Sequence, residues 1–216
     1  MNEKYEKVSS EIERIGIVPV IKLKKTENAG KLADALWEGG VPVAEVTFRA
    51  EGADMTIKAM KERRPEMLVG AGTVLSVDQV RQAVEAGAQF IVSPGINRAV
   101  VEYCMDNGIP VFPGCLTPTE IETAIGYGLK TIKFFPAEQF GGMETIKAYS
   151  APYSQVKFMP TGGISLKNLS EYISSSAVAA CGGSFMVKGD MLDGEKWAQV
   201  TEKCRQAVDI IEKSRR

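Results

Sequence analysis

The chain has 216 residues, of which 44% are hydrophobic and 25% charged, and its formal net charge is -1 at pH 7. This composition allows one sizeable buried core and lacks the low hydrophobicity and high charge of disordered chains. The balanced charge provides no overall basic field, so neither nucleic acid nor an anionic membrane surface is an expected partner. We therefore expect a single domain spanning residues 1–216.

The absence of histidine narrows the chemistry further. It excludes Ser-His-Asp and Cys-His nucleophilic systems and every histidine metal site. The four cysteines contain no Cys-x-x-Cys pair, so neither a zinc site nor a thioredoxin-like redox motif is indicated. We expect no metal and no cofactor, and proton transfer must use carboxylates, lysine, tyrosine or water.

The N-terminal sequence predicts a cytoplasmic protein. Residues 1–7 are polar and of mixed charge, and no apolar core follows them, which argues against a secretory signal. No apolar run approaches membrane-spanning length, so a membrane is not an expected partner.

Helical and strand patterns alternate along the chain. An N-terminal helix is predicted over residues 3–14. Eight β-branched runs follow as candidate strands, at residues 17–21, 43–48, 68–71, 90–93, 109–112, 131–135, 157–160 and 178–181. The intervening segments have the apolar spacing of helices, and several end on glycine, as helix C-termini commonly do.

This alternation predicts an α/β fold in which helices cover a parallel sheet. Eight repeats fit a (β/α)8 TIM barrel of small size, with the extra N-terminal helix covering the bottom of the barrel. The competing architecture is a doubly wound open sheet. That fold would favour a Gly-x-Gly-x-x-Gly turn after the first strand, where residues 22–26 are instead Lys-Leu-Lys-Lys-Thr.

Lys133 lies within an apolar run that is predicted to be a buried strand. An ammonium group is costly to remove from water, and a neutral amine is a nucleophile for carbonyl carbons. Lys133 is therefore a candidate imine-forming residue. The alternative is that it lies at a strand edge, where its side chain reaches water.

Glu45 is the second candidate catalytic residue. Period-2 alternation places Val43, Glu45 and Thr47 on one face of their strand, and a carboxylate inside a barrel can both give and take protons. The alternative is a structural ion pair with Lys133 or Arg49. Arg49 follows the same strand and presents a planar fork of donors that suits a carboxylate or a phosphate.

Two Gly-Gly pairs are predicted to follow the last two strands. Gly162 and Gly163 come after the seventh strand, and Gly182 and Gly183, followed by Ser184, come after the eighth. Barrels often bind phosphate between these two loops through backbone N–H groups. A single Gly-Gly pair could be only a tight turn, but two at equivalent places favour a phosphate site.

The combined motifs resemble one enzyme family. They are Gly16-Ile17-Val18-Pro19-Val20-Ile21, Glu45-Val46-Thr47-Phe48-Arg49, Gly70-Ala71-Gly72-Thr73-Val74, Ser93-Pro94-Gly95, Pro113-Gly114, Lys133-Phe134-Phe135-Pro136-Ala137-Glu138 and Pro160-Thr161-Gly162-Gly163-Ile164. The chain resembles the 2-keto-3-deoxy-6-phosphogluconate aldolase family over residues 12–185.

The resemblance implies a metal-independent class I aldolase, commonly a homotrimer. Such enzymes cleave 2-keto-3-deoxy-6-phosphogluconate to pyruvate and glyceraldehyde 3-phosphate, and many split 4-hydroxy-2-oxoglutarate to pyruvate and glyoxylate. The expected partner is a small keto-acid phosphate.

The resemblance also implies roles for individual residues. Lys133 is the imine-forming lysine and Glu45 the acid/base residue. Arg49 and Thr73 fall where the pyruvate carboxylate is held, and Pro94 and Phe135 form apolar walls. The remaining positions are the hydroxyl contact Thr161 and the phosphate end at Gly162, Gly163 and Ser184, to which the glycine pattern described above adds Gly182 and Gly183.

Two other functions stay open from the residues themselves. A sugar-phosphate isomerase or epimerase would use Glu45 as base and Lys133 as an electrostatic clamp, without a covalent adduct. A non-catalytic phosphosugar-binding protein would bind a ligand and release no product.

Overall fold

The computed structural model describes residues 3–215, so Met1, Asn2 and Arg216 of the predicted domain lie outside the described residues. The strands are β1 (Ile17–Ile21), β2 (Val43–Thr47), β3 (Leu68–Gly72), β4 (Ile91–Val92), β5 (Val111–Phe112), β6 (Thr131–Phe134), β7 (Lys157–Pro160) and β8 (Cys181–Gly183). The α-helices are α1 (Glu3–Ile15), α2 (Ala29–Glu38), α3 (Ala53–Arg63), α4 (Val77–Glu85), α5 (Arg98–Asp106), α6 (Pro118–Gly126), α7 (Gly142–Ser150), α8 (Leu169–Ile173), α9 (Gly189–Asp193) and α10 (Trp197–Ser214). Two short 3-10 helices cover Thr26–Asn28 and Glu138–Phe140.

The strands form a curled parallel sheet. Six of them pair in the order β5-β4-β3-β2-β1-β8, and β6 pairs with β7. Single parallel bridges connect the two groups, from Gly114 to Lys133, from Phe158 to Val178 and from Thr161 to Gly182. The first strand thus has the second and the last strands as neighbours, which requires the sheet to curve back on itself. The fold is an α/β fold with a curled parallel sheet.

The strands are buried because their residues are apolar on both faces, as expected for parallel sheets covered by helices. Every residue of β2 and of β3 is buried. Large apolar side chains such as Phe90, Phe112 and Phe158 have no exposed surface. No helix in residues 3–215 is long and apolar enough to cross a membrane.

The eighth strand begins later in the chain than the sequence predicts. The sequence placed it at 178–181 with Gly182 and Gly183 in the following loop, whereas β8 begins at Cys181 and contains both glycines. Glycine is generally depleted from strands. Here a Cβ at Gly182 would overlap the Thr161 side chain, and one at Gly183 would lie 2.9 Å from the Phe185 ring. Thr161 directly follows β7 and Phe185 lies in the loop after β8, and their side chains explain why this strand has glycine at both positions.

Helix α1 is fixed to the first residue of β6. The Tyr5 hydroxyl accepts a hydrogen bond from Thr131 N–H at 3.0 Å and donates one to the Thr131 carbonyl at 3.3 Å. Ser9 Oγ lies 2.9 Å from Thr131 Oγ1. The Tyr5 ring also stacks on Phe112, with 5.6 Å between ring centroids. The helix therefore anchors the start of the strand that carries Lys133.

We predict that Tyr5→Phe lowers the free energy of unfolding by about 1–2 kcal/mol, because it leaves buried backbone groups of Thr131 without their partner. Urea denaturation measures this change. The matched control is Tyr127→Phe, whose hydroxyl bonds Glu102 at the exposed surface, and its effect should stay within about 0.5 kcal/mol. Equal losses in the two variants would contradict the anchoring role.

Candidate active site

Lys133 and Glu45 face each other inside the curled sheet. Lys133 lies in β6 and Glu45 in β2, and the Lys133 Nζ atom is 3.6 Å from Glu45 Oε1. The Lys133 side chain is 6% exposed and the Glu45 side chain is completely buried. The lysine is therefore a buried residue facing a carboxylate, and the alternative of a solvated strand edge is excluded.

Hydrogen bonds do not lock the Glu45 carboxylate in place. Within residues 3–215, neither of its oxygens has a hydrogen-bond partner. The contact with Lys133 is therefore an electrostatic one. A buried carboxylate with no fixed partner other than an amine can exchange a proton with a bound molecule, whereas a hydrogen-bonded structural pair could not do so without losing those bonds.

Gly72, at the end of β3, provides space for that carboxylate. A Cβ at Gly72 would overlap the Glu45 carboxylate, and its distance to Glu45 Cγ would be only 2.6 Å. The sequence motif contained this glycine, but its role required knowledge of the facing side chain. The absence of a side chain at Gly72 therefore allows Glu45 to point into the interior.

Thr73 follows Gly72 in an unusual backbone conformation. Its φ is 56°, in the left-handed region that β-branched residues rarely adopt. Such strain persists where the surroundings hold it, and it is often found at functional sites. The half-buried Thr73 therefore lies beside the Glu45 strand in a conformation that no sequence pattern had indicated.

The Phe135 ring lies beside the Lys133 side chain, and Pro94 lies beside Gly114, the backbone neighbour of Lys133. The Lys133 Nζ atom is 5.1 Å from the centre of the Phe135 ring, which is 37% exposed. Gly114 forms a bridge with Lys133 and has no room for a Cβ because the Pro94 carbonyl occupies that space. An aromatic ring thus lies beside the lysine amine, and the loop after β4 packs against the residue that bridges the lysine backbone.

Arg49 lies outside this buried pair. It follows β2 in a turn and is exposed. In the part of the chain that the structure describes, its guanidinium has neither an ion pair nor a hydrogen bond. The structure therefore does not pair Arg49 with Glu45, and the donor fork remains available at the carboxyl end of the strand.

The glycine pair after β7 has the geometry of a tight loop. Gly162 and Gly163 have φ values of 99° and 83°, which glycine adopts without steric cost. Thr161, just before them, is buried and packs against Gly182 of β8, and Ser184 is exposed immediately after β8. The structure brings Thr161, Gly182 and the β7 loop together. It shows one left-handed Gly-Gly loop instead of the two that the sequence predicted.

A surface cavity lies away from this pair. A cavity of about 740 Å³ is lined by residues that include Glu13, Lys157 and Arg215. Lys157 is the first residue of β7, so this cavity lies at the N-terminal ends of the strands, and Lys157 is already ion-paired with Glu13. In α/β folds with a parallel sheet the chemistry occurs at the opposite end, at the carboxyl ends of the strands. We therefore assign the candidate active site to Lys133 and Glu45.

We predict that Lys133→Met lowers the free energy of unfolding at neutral pH by about 3 kcal/mol, because the Glu45 charge stays buried without its partner. The Lys133→Met/Glu45→Gln double variant should recover most of this loss, since it buries no charge. Chemical denaturation of the single and double variants gives the coupling energy. Lys213→Met is the control, because it breaks the exposed pair with Asp209 and should cost less than about 1 kcal/mol. Equal losses in Lys133→Met and Lys213→Met would show that the buried pair is not coupled.

The comparisons with known proteins identify one family. Residues 8–203 match the family described as "Aldolase: KDPG and KHG aldolase". The 2-dehydro-3-deoxy-phosphogluconate aldolase of Treponema pallidum (strain Nichols) is 46% identical over 200 residues, which cover 93% of this chain and 95% of that protein. The KHG/KDPG aldolase of Escherichia coli (strain K12) is 44% identical over 193 residues, which cover 89% of this chain and 91% of that protein.

A solved structure gives the same result. The KDPG aldolase from Legionella pneumophila, with pyruvate captured at low pH as a covalent carbinolamine intermediate, superposes with a TM-score of 0.89 at 38% identity. The superposition covers 92% of this chain and 97% of that one. Because the family match extends over residues 8–203, most of the sequence, the chain belongs to the KDPG and KHG aldolase family.

Proposed function

We propose that this protein is a class I aldolase that cleaves 2-keto-3-deoxy-6-phosphogluconate to pyruvate and glyceraldehyde 3-phosphate, and also 4-hydroxy-2-oxoglutarate to pyruvate and glyoxylate. The observation that carries the proposal is the buried Lys133 amine, 3.6 Å from the Glu45 carboxylate. The names of its relatives support both substrates. A relative that holds pyruvate as a covalent carbinolamine supports the imine route.

Lys133 carries the covalent chemistry in this proposal. Its ammonium group first passes a proton to Glu45, and the neutral amine then adds to the C2 ketone to form a carbinolamine. The carbinolamine hydroxyl takes that proton back and leaves as water, which gives a protonated imine. The C3–C4 bond then breaks. Its electron pair moves toward the imine nitrogen, which leaves an enamine at C2–C3 and an aldehyde at C4. The iminium ion is the electron sink, so no step in this sequence requires a metal.

Glu45 moves the protons. Its carboxylate takes the C4 hydroxyl proton as the aldehyde forms, and it then returns a proton to the enamine carbon C3. Water adds to the resulting protonated imine and releases pyruvate and Lys133, whose amine keeps the extra proton as an ammonium group. The carboxylate suits both steps because it is buried next to the lysine and neither oxygen is held by a hydrogen bond.

The other site residues are assigned to parts of the substrate. We propose that Arg49 and Thr73 bind the pyruvate carboxylate and that Pro94 and Phe135 are apolar walls. Thr161 contacts the substrate hydroxyls, and the phosphate binds at Gly162, Gly163, Gly182, Gly183 and Ser184. The exposed donor fork of Arg49 and the left-handed glycine loop after β7 support this arrangement.

We also propose that the eight strands close into a (β/α)8 barrel, in one domain over residues 1–216 with α1 as the extra N-terminal helix. The pairing of β1 with both β2 and β8 supports closure, and so do the single bridges from β5 to β6 and from β7 to β8. The cytoplasmic location and the homotrimer remain predictions from sequence and resemblance.

We predict that pyruvate with sodium borohydride forms a stable adduct on Lys133, because hydride reduces the imine that the amine forms. Intact mass and peptide mapping detect it. Lys133→Ala should give neither adduct nor turnover, and Lys157→Ala, at the other end of the barrel, should behave like the unmodified protein. Bound pyruvate without an adduct would favour an isomerase or epimerase. Saturable binding of the phosphorylated keto acid with no product would favour a binding protein.

We predict that Glu45→Gln still forms the pyruvate adduct but exchanges the pyruvate methyl protons about 10² to 10⁴ times more slowly, since it lacks the acid/base group. Proton NMR in heavy water measures the exchange. Glu144→Gln, in the exposed first turn of α7, controls for loss of one negative charge. Exchange at the unmodified rate in Glu45→Gln would remove Glu45 from this role.

A further inference from the structure

The glycine loop after β7 is attached to its neighbours through three successive carbonyl groups. The Thr161 carbonyl accepts a hydrogen bond from Ala137 N–H at 2.8 Å, and the Gly162 carbonyl accepts one from Glu138 N–H at 3.2 Å. The Gly163 carbonyl accepts one from Asn168 Nδ2 at 3.2 Å. In a trans peptide the carbonyl and the next N–H point in opposite directions. The N–H groups of residues 162–164 are therefore directed away from these three donors.

Glu138 fills the space beside this loop. A Cβ at Gly163 would lie 2.6 Å from Glu138 Cβ and would overlap Glu138 Cγ. The side chain of Glu138 thus packs directly against the backbone of Gly163, and only a glycine fits at that position. This contact adds to the hydrogen bond from Glu138 N–H to the Gly162 carbonyl.

Tyr172 holds the other end of Glu138. This tyrosine lies in α8, is 1% exposed, and donates its hydroxyl hydrogen to Glu138 Oε1. Burial and the Glu138 carboxylate both raise the pKa of Tyr172, so the hydroxyl keeps its proton at neutral pH and acts as the donor. A Cβ at Gly142 would lie 2.9 Å from Glu138 Oε1 and is also obstructed by the Tyr172 hydroxyl. Gly163 in the loop after β7 and Gly142 at the start of α7 therefore make room for the Glu138–Tyr172 contact.

We propose that Glu138 and Tyr172 are positioning residues that hold the Gly162–Gly163 loop in the shape that binds the substrate phosphate. This inference rests on the proposed function for the phosphorylated substrate. Neither residue needs to touch the substrate. Glu138 connects the loop after β6, the strand that carries Lys133, to the loop after β7. Tyr172 fixes the Glu138 side chain from the helix that follows.

A purely structural role for this contact makes a different prediction. If Glu138 only satisfies the buried Tyr172 hydroxyl, breaking the contact should lower the free energy of unfolding and leave the kinetic constants of both substrates equally affected. If the contact shapes the phosphate loop, the loss should concentrate on the phosphorylated substrate. Of the two keto acids that we propose as substrates, only one carries a phosphate. Comparing them therefore distinguishes a structural role from a role in phosphate binding.

The test compares Tyr172→Phe and Glu138→Ala with the unmodified protein. We expect KM for 2-keto-3-deoxy-6-phosphogluconate to rise about tenfold, with a smaller change in kcat. This is the effect expected from losing one hydrogen bond to a charged group. The inhibition constant of inorganic phosphate should rise by a similar factor. For 4-hydroxy-2-oxoglutarate, which has no phosphate, kcat/KM should change less than about twofold. Glu138→Gln keeps an acceptor for the Tyr172 hydroxyl and should restore most of the affinity.

Two control variants separate the contact from its side effects. Tyr153→Phe removes a tyrosine hydroxyl that donates a hydrogen bond to the Glu122 carboxylate at 3.0 Å. Tyr153 precedes the N-terminal end of β7, away from the glycine loop. Glu171→Gln removes one exposed negative charge from α8, next to Tyr172. Both should keep the unmodified KM for the phosphorylated substrate. Circular dichroism and urea denaturation establish that each variant is folded.

The proposal is overturned if folded Tyr172→Phe and Glu138→Ala keep the original KM and phosphate inhibition constant, or if both substrates lose kcat/KM equally. Failure of the proposed function is a separate result, namely no borohydride adduct on Lys133 in the unmodified protein. In that case titration with inorganic phosphate, followed by the amide signals of Gly162 and Gly163 in NMR, still tests the loop. Weaker phosphate binding in Tyr172→Phe supports the positioning role, and unchanged binding overturns it.

Discussion

The arrangement of this protein depends on one buried contact between opposite charges, Lys133 with Glu45. Each charge alone would be costly to remove from water, and their attraction at 3.6 Å makes burial of both tolerable. The two residues lie in β6 and β2, which are not neighbours in the sheet order. Only a sheet that curls can bring these strands face to face. The ion pair therefore depends on the curl of the sheet, because a flat sheet would leave both charges buried without a partner.

Much of this site could be read from the sequence because its two central residues are exceptions to their surroundings. A lysine in an apolar run and a glutamate between alanine and valine are conspicuous in strands that are otherwise buried. Period-2 alternation then placed Glu45 on one face. What the sequence could not give was the distance between them, since it depends on how far the sheet curls. The predicted barrel and the family resemblance indicated that the two residues meet, and the three-dimensional structure provided the 3.6 Å.

The glycines show where local patterns mislead. Gly-Gly reads as a turn, and this interpretation was correct for Gly162–Gly163 but wrong for Gly182 and Gly183, which lie inside β8. The reason is not local. Gly182 lies against the side chain of Thr161, and Gly72 against that of Glu45. At such positions another side chain occupies the space in which the Cβ of a larger residue would lie. A single sequence shows the glycine but not the group that fills its place.

Lys133 also depends on how its strand is held at each end. The strand pairs with β7 over four positions, but its other edge meets β5 through the single bridge at Gly114. Sheet hydrogen bonds alone thus support β6 unevenly. Tyr5 of α1 fixes the N-terminal end at Thr131, and the hydrogen bonds of Ala137 and Glu138 to the β7 loop fix the chain beyond the C-terminal end. An amine that must reach a carbonyl carbon gains from such a supported backbone, because a displacement of about 1 Å can cost about 10²-fold in rate. The helix at the bottom and the loops at the top therefore both contribute to the same active-site geometry.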